Sequence, residues 1–410
     1  MEIVLKLNLM QTFGLSVLVL LFGKFMVSRI EFLSKFCIPA PVVGGLVFSL
    51  LTLAGHETGV LNLTMDMTLK GFFMVCFFTT VGFGASMSIL KKGGPAIFLF
   101  LAVASVLCVL QDVVGVGVAK LMGESPLLGL AAGSIPMTGG HGTSGAFGPL
   151  LEEAGLVGGT TIAIAAATFG LVSGSLIGGP TAKYIIEKYK IHGPGHDRPT
   201  SETAEELLGA KSTLLNNDHM ATGFFQIAVA AGIGSVVSIG IKKMGVTLPD
   251  YVGAMLVASL LRNVFCKDGT KTEIRLHEIH SLGEIFLGVF LAMALMDMRL
   301  WELYDLAIPL MTILGAQVAM VFFFAVYVTY RFSGKDYDAA VLAAGHCGFG
   351  LGATPNGVAN MTAVVQKYGP SPKAFFVLPI VGGLFIDVVN TMIITLFLNF
   401  FLPPIPGYNS

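Results

Sequence analysis

The chain has 410 residues, of which 54% are hydrophobic and 12% are charged, and its formal net charge at pH 7 is -1. A soluble domain carries about twice that fraction of charged residues, and a nucleic-acid-binding domain needs a clustered basic face, so the composition argues against both classes. The mean hydropathy of +0.81 indicates an integral protein of the lipid bilayer.

Apolar runs separated by charged turns predict the membrane-spanning segments of the first half. The N-terminal run follows Glu2, Lys6 and Asn8 without a small-residue cleavage site, so we interpret it as a retained span rather than a signal peptide. The runs are 13–27, 39–54, 72–90, 96–119, an interrupted run at 127–151, and 160–182.

A second set of apolar runs repeats this order after a polar stretch. The runs are 221–241, 251–261, 282–296, 306–330, an interrupted run at 339–365, and 374–398. The stretch between the two sets is rich in charged residues and contains Gly-Pro-Gly, which is typical of a solvated linker. We therefore predict a membrane repeat at 1–182, a cytoplasmic linker at 183–220 and a second membrane repeat at 221–410.

The spacing of matching residues supports an internal duplication. Pro39 and Pro249 begin corresponding runs at an offset of 210, and Gly123 and Gly334 precede the two interrupted runs at an offset of 211. Each interruption is glycine-rich and polar, at residues 133–145 and 345–357. We expect backbone this rich in glycine not to hold a regular helix, and irregular backbone at membrane depth persists only where it lines a polar cavity.

The distribution of Lys and Arg predicts the topology. If each half has five spans plus one re-entrant glycine-rich hairpin, and the N-terminus is outside, 18 of the 24 Lys and Arg residues lie inside, in agreement with the positive-inside rule. Full crossings would place Glu152 and Glu153 inside and move Lys183 to Lys211 outside. The hairpin arrangement also puts both termini outside. An odd number of spans per half inverts the second repeat, as in secondary transporters.

The motifs in these stretches resemble those of one transporter family. They include Gly139-Gly140-His141-Gly142-Thr143, Gly178-Gly179-Pro180 and the run 337–355. At these residues the chain resembles the bacterial sodium:glutamate symporters of the ESS family. The resemblance implies an all-α integral membrane fold of the elevator type, with two inverted repeats of five transmembrane helices. It also implies a homodimer that takes up L-glutamate with Na⁺ across the bacterial cytoplasmic (inner) membrane, with no enzyme activity and no cofactor beyond the coupling ion.

Glutamate carries two carboxylates and an ammonium group, yet no Arg or Lys lies deep in an apolar run. Its donors must therefore come from backbone amides at broken-helix N-termini and from hydroxyls. His141 and His346 either bind substrate or pin the loops by bonding backbone carbonyls. The predicted substrate-binding residues are Ser134, Thr138, Gly139, Gly140, His141, Gly142, Thr143, Gly345, His346, Gly348, Thr354 and Asn356.

Sodium prefers hard oxygen ligands. The polar residues of the last two apolar runs are therefore the candidate sodium ligands. Asp387 and Asn390 are one helical turn apart and, with Asn360, form the predicted sodium site; the alternative for Asp387 is a helix-packing carboxyl group. Gln111 and Asp112 are interpreted as a packing or interface contact. The five cysteines lie singly, which predicts neither a transition-metal site nor a disulfide framework.

Three alternative functions remain at this stage. A symporter for another organic anion, such as a 2-hydroxycarboxylate, would use the same plan. An intramembrane hydrolase would use His141 and Ser144, although no GxSxG elbow precedes a helix. A channel would be expected to show rings of like charge or a repeated carbonyl filter, and the sequence indicates neither.

Overall fold

We examined the fold in a computed structural model. The structure describes residues 3–35, 38–59, 61–87, 94–191, 217–244, 249, 251–265, 274–303 and 306–401. Most of the predicted linker, Cys37, Cys266, and the end of the predicted run 72–90 lie outside these ranges.

Long helices form most of the first half. The elements are β1 (Ile3–Leu7), α1 (Leu9–Arg29), α2 (Glu31–Lys35), α3 (Ala40–Glu57), β2 (Leu61–Met65), α4 (Thr68–Gly84), α5 (Gly94–Leu121), α6 (Pro126–Ala131), α7 (Gly140–Glu153) and α8 (Gly159–Lys188). Helix α1 begins with a capping box, in which Asn8 Oδ1 accepts from the Gln11 N–H and Gln11 Oε1 accepts from the Asn8 N–H.

The second half is built in the same way. The elements are α9 (Asn217–Lys243), α10 (Tyr251–Phe265), α11 (Leu276–Met296), a 3₁₀ turn (Leu300–Leu303), α12 (Ala307–Phe324), α13 (Tyr330–Phe332), α14 (Tyr337–Leu351), α15 (Thr354–Tyr368), α16 (Pro372–Ile380) and α17 (Ile386–Phe401). Single π-helical turns, Ala325–Thr329 and Val381–Phe385, join α12 to α13 and α16 to α17, so each pair forms one continuous helix.

Eight helices in the described part of the chain are long and apolar enough to cross a membrane. They are Leu9–Arg29, Ala40–Glu57, Gly94–Leu121, Gly159–Lys188, Asn217–Lys243, Leu276–Met296, Ala307–Phe332 and Pro372–Phe401. Each overlaps one of the predicted apolar runs, and the shorter apolar helices α4 and α10 overlap two more. The chain is therefore a multi-pass, helical integral membrane protein, as the composition predicts.

The fold is helical as expected, apart from a parallel two-stranded sheet of β1 and β2, with Ile3 opposite Leu61 and Leu7 opposite Met65. One sequence-based expectation needs correction. The second glycine-rich stretch is helical over most of its length, since α14 continues through Gly345 and Gly348 to Leu351. The helix breaks only at residues 352–353, whereas the first stretch is non-helical over residues 132–139.

Helices α14 and α15 form a tight antiparallel pair. At its open end, Tyr337 Oη donates a hydrogen bond of 2.5 Å to the Gly369 carbonyl. Along the pair, a Cβ added to Gly345 would lie 2.8 Å from the Met361 side chain. The chain therefore enters and leaves this pair at neighbouring points, and its turn lies at the far end.

The segment from α6 to α7 is also folded back, with its two arms packed on different helices. Gly129 of α6 packs against the backbone of Gly115 in α5, where a Cβ would overlap backbone atoms. Helix α7 runs antiparallel to α8, with the Ser144 hydroxyl donating to the Ala163 carbonyl at 3.1 Å. The non-helical residues 132–139 join these arms and are buried in the interior.

The close approach of α5 and α6 generates a test of how the non-helical stretch is positioned. Gly115→Ala should destabilise the protein by about 1–3 kcal/mol, because the new methyl group overlaps the Gly129 backbone. Gly117→Ala is the matched control on the same helix, because nothing lies within 4 Å of its added Cβ. Thermal unfolding of the purified protein in detergent measures both variants. Equal midpoints for the two variants would contradict the packing described here.

Candidate functional site

The carboxylate of Asp112 anchors the non-helical stretch. Its Oδ1 accepts the Ser134 backbone N–H at 2.7 Å, and its Oδ2 accepts the Ser134 hydroxyl at 2.9 Å. Asp112 and Ser134 are both 0% exposed. Residues that leave a helix lose their intrahelical partners, and an unpaired buried amide is costly. Asp112 supplies one of the acceptors that the broken backbone needs.

Gln111, the neighbour of Asp112, connects both glycine-rich stretches. Its Oε1 accepts the Thr138 hydroxyl at 2.7 Å, and its Nε2 donates to the Gly350 carbonyl at 2.5 Å. The Gln111 carbonyl in turn accepts from Gln317 Nε2 of α12 at 2.7 Å. One side chain therefore holds the first stretch against the end of α14.

The last helix reaches the same stretch from another side. Asn390 Nδ2 donates to the Ser134 carbonyl at 3.0 Å, while Asn390 Oδ1 is buried without a hydrogen-bond partner among the described residues. Asp387 lies one turn earlier on the same helix and is partly buried. The structure thus brings Asn390 into contact with Ser134, with Asp387 one turn away.

The two folded-back segments meet at their tips. Gly140 has a φ of +64°, and a Cβ added there would lie 3.1 Å from the Gly352 carbonyl oxygen. Gly140 begins α7, and Thr354 begins α15 two residues after Gly352. The N-termini of two helices, each the positive end of a helix dipole, therefore converge on one region.

A second row of predicted residues lies along α8. His141 Nε2 is 3.0 Å from Thr168 Oγ1. Asn356 Nδ2 donates to Ser175 Oγ at 2.7 Å and to the Leu171 carbonyl at 3.1 Å. Asn360 Nδ2 donates to the Gly174 carbonyl at 2.9 Å and to the Ala344 carbonyl at 3.3 Å. These contacts hold the tips of both segments against α8.

The remaining predicted residues lie close to these two groups. Gly139 is in contact with the Thr143 side chain, and Gly142 faces Phe77 with room for a methyl group. Thr354 is partly buried, and its hydroxyl lies 2.7 Å from a Cβ built on Gly382 of the π turn. Gly348 faces the backbone of Asn356, so its lack of a side chain lets α14 and α15 approach closely.

The surroundings of His346 differ from those of His141. It lies within α14, and its ring packs against Phe100 at 5.0 Å, Phe324 at 5.9 Å and Phe349 at 5.5 Å between centroids. Its Nδ1 is 2.8 Å from Thr329 Oγ1. Its Nε2 has no hydrogen-bond partner among the described residues, so neither a bond to a backbone carbonyl nor a substrate contact is seen there.

Asp112 is the residue whose importance the sequence analysis underestimated. The sequence predicts a packing or interface contact for Asp112. In the structure Asp112 contacts Ser134, which is one of the predicted substrate-binding residues. The sequence spacing could have indicated this contact. Only four residues join α5 to α6, so the two helices are antiparallel and Asp112 lies level with Ser134. Thr168 gave no comparable signal, because a hydroxyl in an apolar helix usually bonds its own backbone, as Thr168 also does with the Ile164 carbonyl at 3.0 Å.

The geometry suits binding more than nucleophilic catalysis. The Ser144 hydroxyl donates to the Gly140 carbonyl at 2.8 Å and to the Ala163 carbonyl, while His141 contacts Thr168. The hydrolase alternative needs a hydrogen bond between Ser144 and His141, and these two side chains have other partners. Converging helix N-termini instead suit an anion, and the carboxylate and amide oxygens of α5 and α17 suit a cation.

Comparison with known proteins gives consistent matches along the chain. Residues 5–370 match the family model described as Sodium/glutamate symporter. The chain is 40% identical over 396 residues to the sodium/glutamate symporter of Escherichia coli (strain K12), with 96% of this chain and 98% of the relative covered. It is also 40% identical over 391 residues to the sodium/glutamate symporter of Haemophilus influenzae, covering 94% and 95% of the two chains.

The paired hydrogen bonds of Asp112 generate a stability test. Ser134→Ala removes one hydrogen bond and should cost about 1 kcal/mol, whereas Asp112→Ala also leaves the buried Ser134 N–H unpaired, which adds about 1–3 kcal/mol. The double variant should be less destabilised than the sum of the two single variants, because the residues share a contact. Unfolding midpoints in detergent measure the cycle, and strict additivity would argue against direct coupling.

Proposed function

The chain belongs to the sodium/glutamate symporter family, and we propose that it carries L-glutamate into the cell together with Na⁺. It is a transporter and not an enzyme, and Na⁺ is its coupling ion. The proposal rests above all on the meeting of two helix N-termini, at Gly140 and Thr354, inside a helical membrane protein. A symporter for a 2-hydroxycarboxylate is the alternative, and substrate competition separates the two.

The substrate carboxylates would bind at these N-termini. Backbone N–H groups and the positive ends of helix dipoles stabilise anions without a buried Arg or Lys. The hydroxyls of Thr138 and Thr354 and the ring of His141 lie in the same region and supply further polar contacts. The other predicted substrate-binding residues shape the region chiefly through backbone, since most of them are glycines.

Sodium would bind beside Asp387 and Asn390. The buried Oδ1 of Asn390 has no partner among the described residues, and the carboxylate of Asp387 lies one helical turn away. Hard oxygen atoms of this kind are the ligands that such a cation prefers. Asn360 uses its Nδ2 in two hydrogen bonds, which leaves its amide oxygen available as an acceptor.

We further propose that both folded-back segments are re-entrant hairpins that enter from opposite faces of the membrane. Helix α12 runs antiparallel to α5, because Gln317 meets Gln111 while Phe332 and Pro95 line one cavity. The end of α8 lies beside the end of this helix, since the rings of Tyr189 and Tyr330 stack at 4.9 Å between centroids.

These contacts have consequences for the two hairpins. The start of α8 lies at the same end of the bundle as the end of α5, so the open ends of α6 and α7 share that end. The open end of the α14–α15 pair, at Tyr337 and Gly369, follows α13 and lies at the opposite end. This arrangement supports inverted repeats at 1–182 and 221–410 joined by a linker at 183–220.

An elevator mechanism in a homodimer accords with this arrangement and with the family. In it, a transport domain carrying both hairpins moves past a fixed scaffold. We place the protein in the bacterial cytoplasmic membrane with both termini outside and the linker inside, on the basis of the Lys and Arg distribution.

We propose that at least one Na⁺ accompanies each glutamate, and that a second is needed if the membrane potential itself is to drive uptake. Bringing one net negative charge into a cell that is negative inside costs about 2.3 kcal/mol per 100 mV, and one Na⁺ only cancels that charge. In proteoliposomes, an inward Na⁺ gradient should drive accumulation of labelled L-glutamate together with an inward positive current. Asp387→Asn should lower the apparent Na⁺ affinity about tenfold or more, because a charged ligand is lost.

The controls of this assay separate the possible outcomes. Replacing Na⁺ with K⁺ should abolish accumulation, and aspartate, citrate and malate should compete more weakly than unlabelled glutamate. An electroneutral cycle would exclude the two-ion stoichiometry while leaving symport intact. Stronger competition by malate than by glutamate would favour the alternative substrate class.

Substrate protection of introduced cysteines tests the hairpin tips. In a background without the five native cysteines, Gly142→Cys and Thr354→Cys should react with small permeant thiol reagents, and glutamate with Na⁺ should slow both reactions. Gly315→Cys is the control, because it lies in α12 with nothing within 4 Å of its added Cβ, and substrate should not change its rate. If glutamate and Na⁺ do not change the labelling rates of the two tip cysteines, the proposed substrate site at the hairpin tips is wrong.

A further inference from the structure

A cationic cluster lies at one end of the bundle, where α8 and α12–α13 end. Lys188 Nζ lies 3.2 Å from Tyr184 Oη and 3.3 Å from Tyr327 Oη. All three side chains are exposed, with Tyr184 at 41% and Tyr327 at 48%. The cluster plays no part in the transport site described above.

The direction of these hydrogen bonds leaves donors available. An ammonium group only donates, so both tyrosine oxygens act as acceptors toward Lys188 and their own hydroxyl hydrogens point elsewhere. Of the three N–H bonds of the ammonium group, two are used by partners in the described part of the chain. One N–H of Lys188 and the hydroxyl hydrogen of each tyrosine can therefore donate to an anion bound next to this positive charge.

Aromatic rings hold the charge in place. Lys188 Nζ lies 4.7 Å from the ring centroid of Tyr327, 5.1 Å from that of Tyr184 and 5.5 Å from that of Tyr189. Tyr189 is itself stacked on Tyr330 at 4.9 Å. A lysine whose ammonium group already contacts two tyrosines loses less further entropy when it binds an anion than an unrestrained lysine would.

An apolar surface continues from this cluster toward the middle of the spans. The ring of Phe322 packs on Tyr184 at 6.0 Å and that of Phe323 on Tyr327 at 6.3 Å, and Phe323 is 55% exposed. The donors thus lie at the end of two candidate spans, and the phenylalanines lie about one turn deeper on α12. A positive charge at the end of the spans, next to an apolar strip, suits the charged headgroup and the acyl chain of a lipid.

We propose that Lys188, Tyr184 and Tyr327 bind the phosphate of an anionic phospholipid whose acyl chain lies along Phe322 and Phe323. Lys and Tyr at the ends of spans lie at headgroup depth, where anionic lipids attract basic residues. A free phosphate could use the same donors but would gain nothing from the phenylalanine strip. The apolar strip therefore favours the lipid over the soluble anion.

The test measures binding of phosphatidylglycerol to the purified full-length protein by native mass spectrometry and by thermal stabilisation. Lys188→Gln should weaken binding about fivefold, since a lysine near the anionic surface contributes about 1 kcal/mol. The double variant Tyr184→Phe/Tyr327→Phe keeps the rings and removes only the hydroxyl donors, so it should also weaken binding. Lys183→Gln is the matched control, because Lys183 lies on the same helix, is exposed and pairs with Glu187 at 3.7 Å.

Each arm of the experiment supports or overturns the proposal. Phosphatidylcholine and inorganic phosphate at the same concentration should neither stabilise the protein nor survive in the mass spectrum. An equal loss of lipid affinity in Lys188→Gln and Lys183→Gln would show that general surface charge, and not this cluster, binds the lipid. Binding of inorganic phosphate as tight as that of the lipid would overturn the lipid assignment. Midpoints without lipid show whether a variant has lost stability for another reason.

Discussion

Where a helix breaks inside this protein, the backbone N–H and C=O groups that lose their helical partners need hydrogen bonds from elsewhere in the protein. Residues 132–139 leave the regular helical ladder, and residues 132–138 are buried, where water does not supply missing hydrogen bonds. Asp112 accepts the Ser134 N–H, Asn390 donates to the Ser134 carbonyl, and Gln111 binds Thr138. Two polar side chains, one from α5 and one from α17, therefore bond the broken backbone directly, and Gln111 holds it through the Thr138 hydroxyl.

The fold could be predicted largely from hydrophobicity, because the bilayer demands long apolar helices. Each predicted run corresponds to a helix, and the place of both interruptions is right. The extent of the second break is wrong, since the sequence argument used the intrinsic cost of glycine, about 1 kcal/mol per residue in a helix. In α14 the close packing of Gly345 and Gly348 against α15 outweighs that cost. Packing partners of this kind are distant in sequence, as are β1 and β2.

The candidate site was less predictable than the fold. The hydroxyls and glycines at the tips follow from their motifs, but Asp112 and Thr168 lie in apolar helices without a motif. The two histidines look alike in the sequence, yet His141 lies beside Thr168 at the tip and His346 lies among phenylalanine rings. Their difference depends on where each helix breaks, and the local sequence did not reveal the break after Leu351.

The π turn at Val381–Phe385 has a consequence for the ion site. A π turn accommodates one residue more than an α-helix does over the same height, and one residue corresponds to a rotation of about 100°. Asp387 and Asn390 follow directly after this turn. The orientation of Asn390 toward Ser134 is therefore set by a single inserted residue. A one-residue deletion within the turn would rotate Asn390, and Asp387 with it, by about 100° while leaving the helix and its span intact.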